Sequence, residues 1–130
     1  MGSSAVAPFG LSTIGQICIT VKEVDRAIAF YRDVLGMKLL FQVPNMGFFA
    51  CDGVRLMIAG AEKPGEQYSS VIYFKVPDIQ QAFQDLSQRG ASFEGEPHLL
   101  ARMPDHDLWM AFFRDPDRNL LALMSEVPRV

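Results

Sequence analysis

Few side chains in this sequence are equipped for catalysis. Both of its histidines, His98 and His106, lie in one stretch that begins at Glu96 and ends at Trp109, the only tryptophan. An imidazole titrates near neutrality, so His98 and His106 are the acid–base candidates. Asp105-His106-Asp107 groups three potential metal donors, but the same tripeptide after Pro104 also reads as a solvated turn. Arg102 could pair with an anionic ligand, although a free surface arginine is the plainer reading. The stretch is long for a strand connection, and long ordered loops often act as lids or binding segments. The expectation is a loop in which Trp109 starts a strand at a site's rim and at least one histidine points into that site. The two cysteines, Cys18 and Cys51, both sit in apolar segments. They read as buried thiols in a reducing compartment. A reactive thiol needs a cation or a helix N-terminus nearby, and the sequence places neither.

The elements that must position these residues follow from periodicity. Gln16, Cys18 and Thr20 alternate with Ile17, Ile19 and Val21, which predicts a strand. Val24, Ala27, Ile28, Tyr31 and Leu35 line one helical face, and Gly36 stands where a helix stops. Three short strands follow, at 37–43, 47–51 and 54–59, broken by Pro44-Asn45 and by Asp52-Gly53, a tight-hairpin signal. After a polar linker at 61–68 the order begins again. A strand at 70–76 precedes a helix face of Ile79, Ala82, Phe83 and Leu86, and Gly90 ends that helix. Strands are expected at 91–95, 108–114 and 119–125. A shift of 55 positions lays Ile17 on Ile72, Val21 on Val76, Val24 on Ile79 and Ala27 on Ala82. Asp78 is a strong helix N-cap, whereas its counterpart Glu23 is a poor one. The fold class is therefore α+β, with two βαβββ modules. Module one spans 14–60 and module two 69–125 of a single domain, with an N-terminal tail at 1–13 and a C-terminal tail at 126–130.

Composition narrows the function. The chain has 130 residues, 49% of them hydrophobic, and a net charge of −3. That is enough apolar surface for a core. No basic patch points to nucleic acid. No apolar window is long enough to span a membrane. The N-terminus lacks the basic start and apolar stretch of a secretion signal, so a cytoplasmic protein is expected.

Residues 21–36, and above all Phe30-Tyr31 followed by Leu35-Gly36, resemble the first helix of the vicinal-oxygen-chelate superfamily of glyoxalases, bleomycin-resistance proteins and dioxygenases. Val76-Pro77-Asp78 resembles the start of the second module's helix. Phe113 to Leu120 resembles the closing hairpin, except that Arg118 stands where the family usually has glycine. The resemblance implies curved mixed sheets around a cup that holds one divalent ion. Its ligand positions, carried over, are Gln16, Met57, Val71 and Ala122. Only Gln16 offers an oxygen. Met57 is a soft thioether, and Val71 and Ala122 have no donor. No metal and no other cofactor is therefore expected, and neither is glyoxalase I or dioxygenase activity.

Alternation assigns the faces. Ile17, Ile19, Val21, Ile72, Phe74, Leu121 and Leu123 should pack under the helices. Gln16, Cys18, Met57, Val71, Tyr73, Ala122 and Met124 should face the cup and, with Trp109, bind a ligand. Three readings remain. The first is a metal-independent protein that binds a small apolar or aromatic molecule. The second is a lyase, isomerase or other enzyme using His98 or His106 as acid or base. The third is an interaction module whose cup is filled by its own side chains. The resemblance also implies a homodimer.

Overall fold

In the computed structural model, residues 9–129 are described, apart from 64 and 66–68. The first module runs β1 (Gln16–Val21), α1 (Val24–Ala29), β2 (Lys38–Val43), β3 (Met46–Cys51) and β4 (Val54–Gly60). The second runs β5 (Ile72–Lys75), α2 (Ile79–Gln88), β6 (Ser92–Phe93), β7 (His98–Arg102), β8 (His106–Arg114) and β9 (Leu120–Pro128). The first sheet has the order β1-β4-β3-β2 and the second β5-β9-β8-β6, with β7 also on β8. In each sheet the opening strand runs parallel to the module's last strand, and the other pairs are antiparallel. Each module thus repeats one mixed topology, and the two sheets stay open.

The helices differ in how they begin and end. Asp78 caps α2, its side chain accepting from the Gln81 N–H at 3.1 Å. Glu23, at the same place before α1, makes no such bond. Beyond Ala29 the first helix widens into a π-wound turn, Phe30–Val34, in which the Leu35 N–H reaches back to the Phe30 carbonyl. Gly36 and Gly90 then take positive φ and turn the chain away. Asp52 and Gly53 both have positive φ, as a two-residue hairpin of the primed type requires. Gly47 admits α1 closely. A Cβ there would lie 2.6 Å from Ile28 Cδ1.

One hydrophobic cluster serves both modules. Ile19, Ile28, Tyr31, Phe49 and Ile58 of the first join Phe113, Leu121 and Leu123 of the second. Ile17, Ile72 and Phe74 pack against it. The residues expected under the helices are therefore there. A buried polar clasp crosses the same junction. Tyr31 donates its hydroxyl to Asp115 Oδ2 at 2.9 Å, and Asn119 Nδ2 donates to the same oxygen at 2.9 Å. The Asp115 Oδ1 atom accepts from the backbone of Asp117 and Asn119. Asp117 in turn accepts from the Lys22 N–H at 2.7 Å. Burial, and then the Asp115 charge, push the Tyr31 phenol far above its ordinary pKa, so it stays a donor. Arg118 has φ +71°, the left-handed region in which glycine would be relaxed.

Two sequence expectations need correction. The stretch from His98 to Trp109 is a hairpin, with β7 paired to β8, and not a lid-like loop. A bulge between Leu99 and Ala101 places Leu100 out of register, which breaks the alternation that would have revealed β7. The C-terminal tail expected at 126–130 also starts too early, because β9 continues through Pro128. Arg129 holds this end by pairing with Asp107 and donating to the Met103 carbonyl. Residues 9–13 have neither helix nor strand, and residues 1–8 lie outside the described residues.

Candidate functional site

Because both helix-side surfaces join one core, the opposite face of each sheet is turned outward. Register fixes what each outer face carries. On the first sheet one row reads Gln16, Arg55, Ala50, Lys38 from β1 to β2. The next row reads Cys18, Met57, Phe48, Phe41. On the second sheet Tyr73, Ala122 and Phe112 form one row, and Lys75, Met124, Met110 and His98 the next.

Each residue expected to face the cup except Trp109 lies on these faces or, for Val71, just before β5 in their alternation. Gln16, Val71 and Tyr73 are exposed, Cys18, Met57 and Met124 are half-buried, and Ala122 is fully buried. Trp109 does not join them. It sits inside β8, shares the face of Ala111 and Phe113, and packs against the core. It is a core residue, not a rim residue. The sequence misplaced it because the hairpin was read as a loop.

The four positions implied for a metal fall into two separated pairs. Gln16 and Met57 meet on the first sheet, where the Gln16 amide nitrogen lies 3.8 Å from the Met57 sulfur. The Gln16 Oε1 atom is already taken, accepting from Arg55 Nε at 3.0 Å. Ala122 lies in the second sheet and Val71 just before its β5, and neither brings a donor. A hard divalent ion needs several oxygen or imidazole ligands, so this set does not fit one. Among the described residues no group of three or more His, Cys, Asp or Glu could hold a metal ion either. Asp105-His106-Asp107 fails as such a group because alternation in β8 sends His106 and Asp107 to opposite faces.

Both histidines lie on the outer face of the second sheet. His98 stacks its ring on Phe112 at 6.4 Å, and its Nδ1 lies 3.2 Å from the Glu96 carbonyl oxygen. It lines a cavity of about 320 Å³ with Glu94, Glu96, Phe112 and Leu120. His106 lies at the other end of the face. Its Nδ1 is 2.7 Å from Asp105 Oδ1, and its Nε2 is 3.9 Å from Glu126. Glu126 also pairs with Lys75 at 2.9 Å. The hydrogen bond from Lys75 holds the Glu126 carboxyl below the usual range, and the bond to His106 does the same for Asp105. Arg102, at the end of β7, is exposed. Cys18 and Cys51 are free, half-buried thiols, and burial raises the pKa of Cys18, the opposite of what a nucleophile needs.

Sequence reasoning missed the Arg55, Phe48 and Phe41 group. Arg55 lies over the Phe48 ring at 5.6 Å, and Phe48 stacks on Phe41 at 4.5 Å. The alternation of Arg55 with Leu56 and Ile58 in β4 was the available signal.

Two modules of strand, helix and three or more strands, sharing one core, define a paired-module fold. The profile of the Glyoxalase/Bleomycin resistance protein/Dioxygenase superfamily matches residues 13–123. The chain belongs to that superfamily. It is 30% identical over 126 residues to the uncharacterized protein YraH of Bacillus subtilis (strain 168), across 83% of this chain and 94% of that protein. The uncharacterized protein YurT of the same organism is 28% identical over the same shares. Among solved structures, a glyoxalase/bleomycin resistance protein/dioxygenase from Alicyclobacillus acidocaldarius superposes with a TM-score of 0.67 at 21% identity, covering 88% of this chain and 91% of its own. A lactoylglutathione lyase from Agrobacterium tumefaciens gives 0.69 at 21% identity, covering 89% and 95%. At these identities the structures attest the fold alone. No helix among the described residues is long and apolar enough to cross a membrane.

Proposed function

We propose that this chain is a metal-independent member of its superfamily that binds a small apolar or aromatic molecule on the outer sheet faces. The observation that carries the reading is the state of Gln16. It is the only oxygen donor at the four inherited ligand positions, and Arg55 already occupies it. A guanidinium beside that oxygen repels a cation that would need it. Around it, Cys18, Met57, Phe48 and Phe41 offer a polarizable, aromatic surface suited to an apolar ligand. The expected outcome of elemental analysis after dialysis is far less than one equivalent of Zn, Ni, Mn, Fe, Co or Mg. A stoichiometric metal lost in Gln16→Ala would overturn the reading. Native mass spectrometry of the same sample reports any retained organic ligand.

A second reading is favoured by His98. Its ring lines a cavity together with Glu96, Phe112 and Leu120, where an imidazole could act on a bound molecule as acid or base. On that reading the chain is a lyase or isomerase. The test is turnover that depends on pH and disappears in His98→Ala while apolar-probe binding persists. His106, tied to Asp105 and Glu126, is the less accessible base of the two.

A homodimer accompanies both readings. Phe41 and Val43 on one face, and Val71 and Tyr73 on the other, are large apolar side chains at least 40% exposed, and such surface favours burial against a second copy. Sedimentation showing only a 14.5 kDa species at micromolar concentration would rule the dimer out. The cytoplasm is the compartment that suits two free thiols.

A further inference from the structure

The first sheet's outer face carries two cations that no carboxylate neutralises among the described residues. Arg55 donates its Nε–H to Gln16 and holds its guanidinium carbon 5.6 Å from the Phe48 ring centroid, and its two terminal nitrogens have no hydrogen-bond partner among the described residues. Lys38, two strands away in the same row, has no ion-pair partner among them either. No acidic side chain shares this row or the Cys18–Met57–Phe48–Phe41 row beside it. An arginine held by both a hydrogen bond and a ring presents its remaining N–H groups as a fixed fork, the geometry that suits a planar two-oxygen anion. The stacked Phe48–Phe41 pair lies beside that fork, and its edges offer an apolar surface for edge-to-face contact with an aromatic ring.

We infer that the first sheet's outer face is a site for aromatic carboxylates, with the anion in the Arg55 fork and the ring packed against the side of the Phe48–Phe41 pair. This inference rests on the small-molecule reading above and names its ligand class. The guanidinium supplies positive charge beside Gln16, at the place where related enzymes would need a metal ligand. Its charge and its remaining N–H groups would together recognise an oxyanion. Arg55 is a binding residue here, and Lys38 adds long-range attraction from the far end of the row.

The test uses two probes of the same shape, 1-naphthoate and the neutral 1-naphthalenemethanol, titrated into the full chain by calorimetry and ligand-observed NMR. The expected result is naphthoate binding at least about tenfold tighter than the alcohol, as a charge-assisted pair of hydrogen bonds provides. Arg55→Gln should erase that preference. Arg55→Lys should keep part of it, and Phe48→Leu should weaken both probes. The Arg55 side chain is exposed, so these variants are expected to fold, and a thermal melt checks it. Equal affinity of the two probes overturns the carboxylate inference and leaves the small-molecule reading standing. An Arg55→Gln variant that retains the preference also overturns it, as does one that instead weakens self-association. Binding of neither probe overturns both.

Discussion

The two outer faces have the same topology and opposite electrostatics. On the second sheet the charges close on one another, Lys75 with Glu126 and Arg114 with Glu94, and Asp105 is hydrogen-bonded by His106. On the first, Arg55 and Lys38 have no carboxylate partner among the described residues. The helices behind the faces differ too. The second is capped and regular, whereas the first is uncapped, π-wound, and sends Tyr31 across to Asp115. Its counterpart in the repeat, Leu86, has no hydroxyl to send. A repeated topology therefore fixes where the sheets and helices go, and single side chains decide what each copy contributes. The first copy supplies reach across the junction and a face with unpaired charge. The second supplies the acceptor of that reach and a face already balanced.

The strongest way to break this division is to remove the acceptor. Asp115→Ala leaves the Tyr31 hydroxyl and the Asn119 amide without their buried partner. It should cost roughly 3 kcal/mol in urea unfolding. A loss below about 1 kcal/mol would show that the clasp does not hold the modules together.

Removing the donor is milder. Tyr31→Phe should cost about 1–2 kcal/mol, since Asp115 keeps its Asn119 and backbone bonds. The variant should also change the alkaline limb. The folded phenol has a raised pKa, so its contribution is fully present below the unfolded value near 10 and is lost as pH rises beyond it. Stability of the parent should therefore fall above about pH 10 more steeply than that of Tyr31→Phe. Parallel curves would show that Tyr31 is not protonation-linked to folding.

The caps sharpen the contrast on a smaller scale. Asp78→Ala should lower stability by about 1 kcal/mol, and Glu23→Ala by almost nothing. Equal effects would mean that the hydrogen bond from Gln81 is not what distinguishes the two helix starts. The smallest effect is expected from Glu126→Gln. It frees Lys75 and makes the second face resemble the first, so ligand-observed NMR should detect weak new naphthoate binding near Tyr73. No change would show that charge pairing alone does not separate the faces.

Most of the architecture was legible because it rests on local periodicity. Ile17, Ile19 and Val21 alternate cleanly, and so do Leu121 and Leu123, and all lie in or against the core. Gly36, Gly90 and Asp52-Gly53 mark their turns by backbone conformation. The β7 strand escaped because a bulge at Leu100 destroyed its period, and that error carried Trp109 from the core to an imagined rim. The site was harder to read. Which positions face outward followed from alternation, so the emptiness of the metal set was visible in Gln16, Met57, Val71 and Ala122. The pairing of Gln16 with Arg55 was not visible, because it depends on the parallel register of β1 against β4 across 39 residues of chain. The balance of charge on the second face was hidden for the same reason.

The shared core changes what the segment at 61–68 has to do. If apolar packing and the Tyr31–Asp115 bond join the two halves, the covalent connection between them need not hold them together by its own contacts. A tether raises the local concentration of one half around the other to the millimolar range. Its length enters only logarithmically, so insertions there cost little. Neither half can bury its helix-side surface alone. The protein should therefore melt as one cooperative unit, and a single proteolytic nick in that segment should leave a complex of two fragments still assembled.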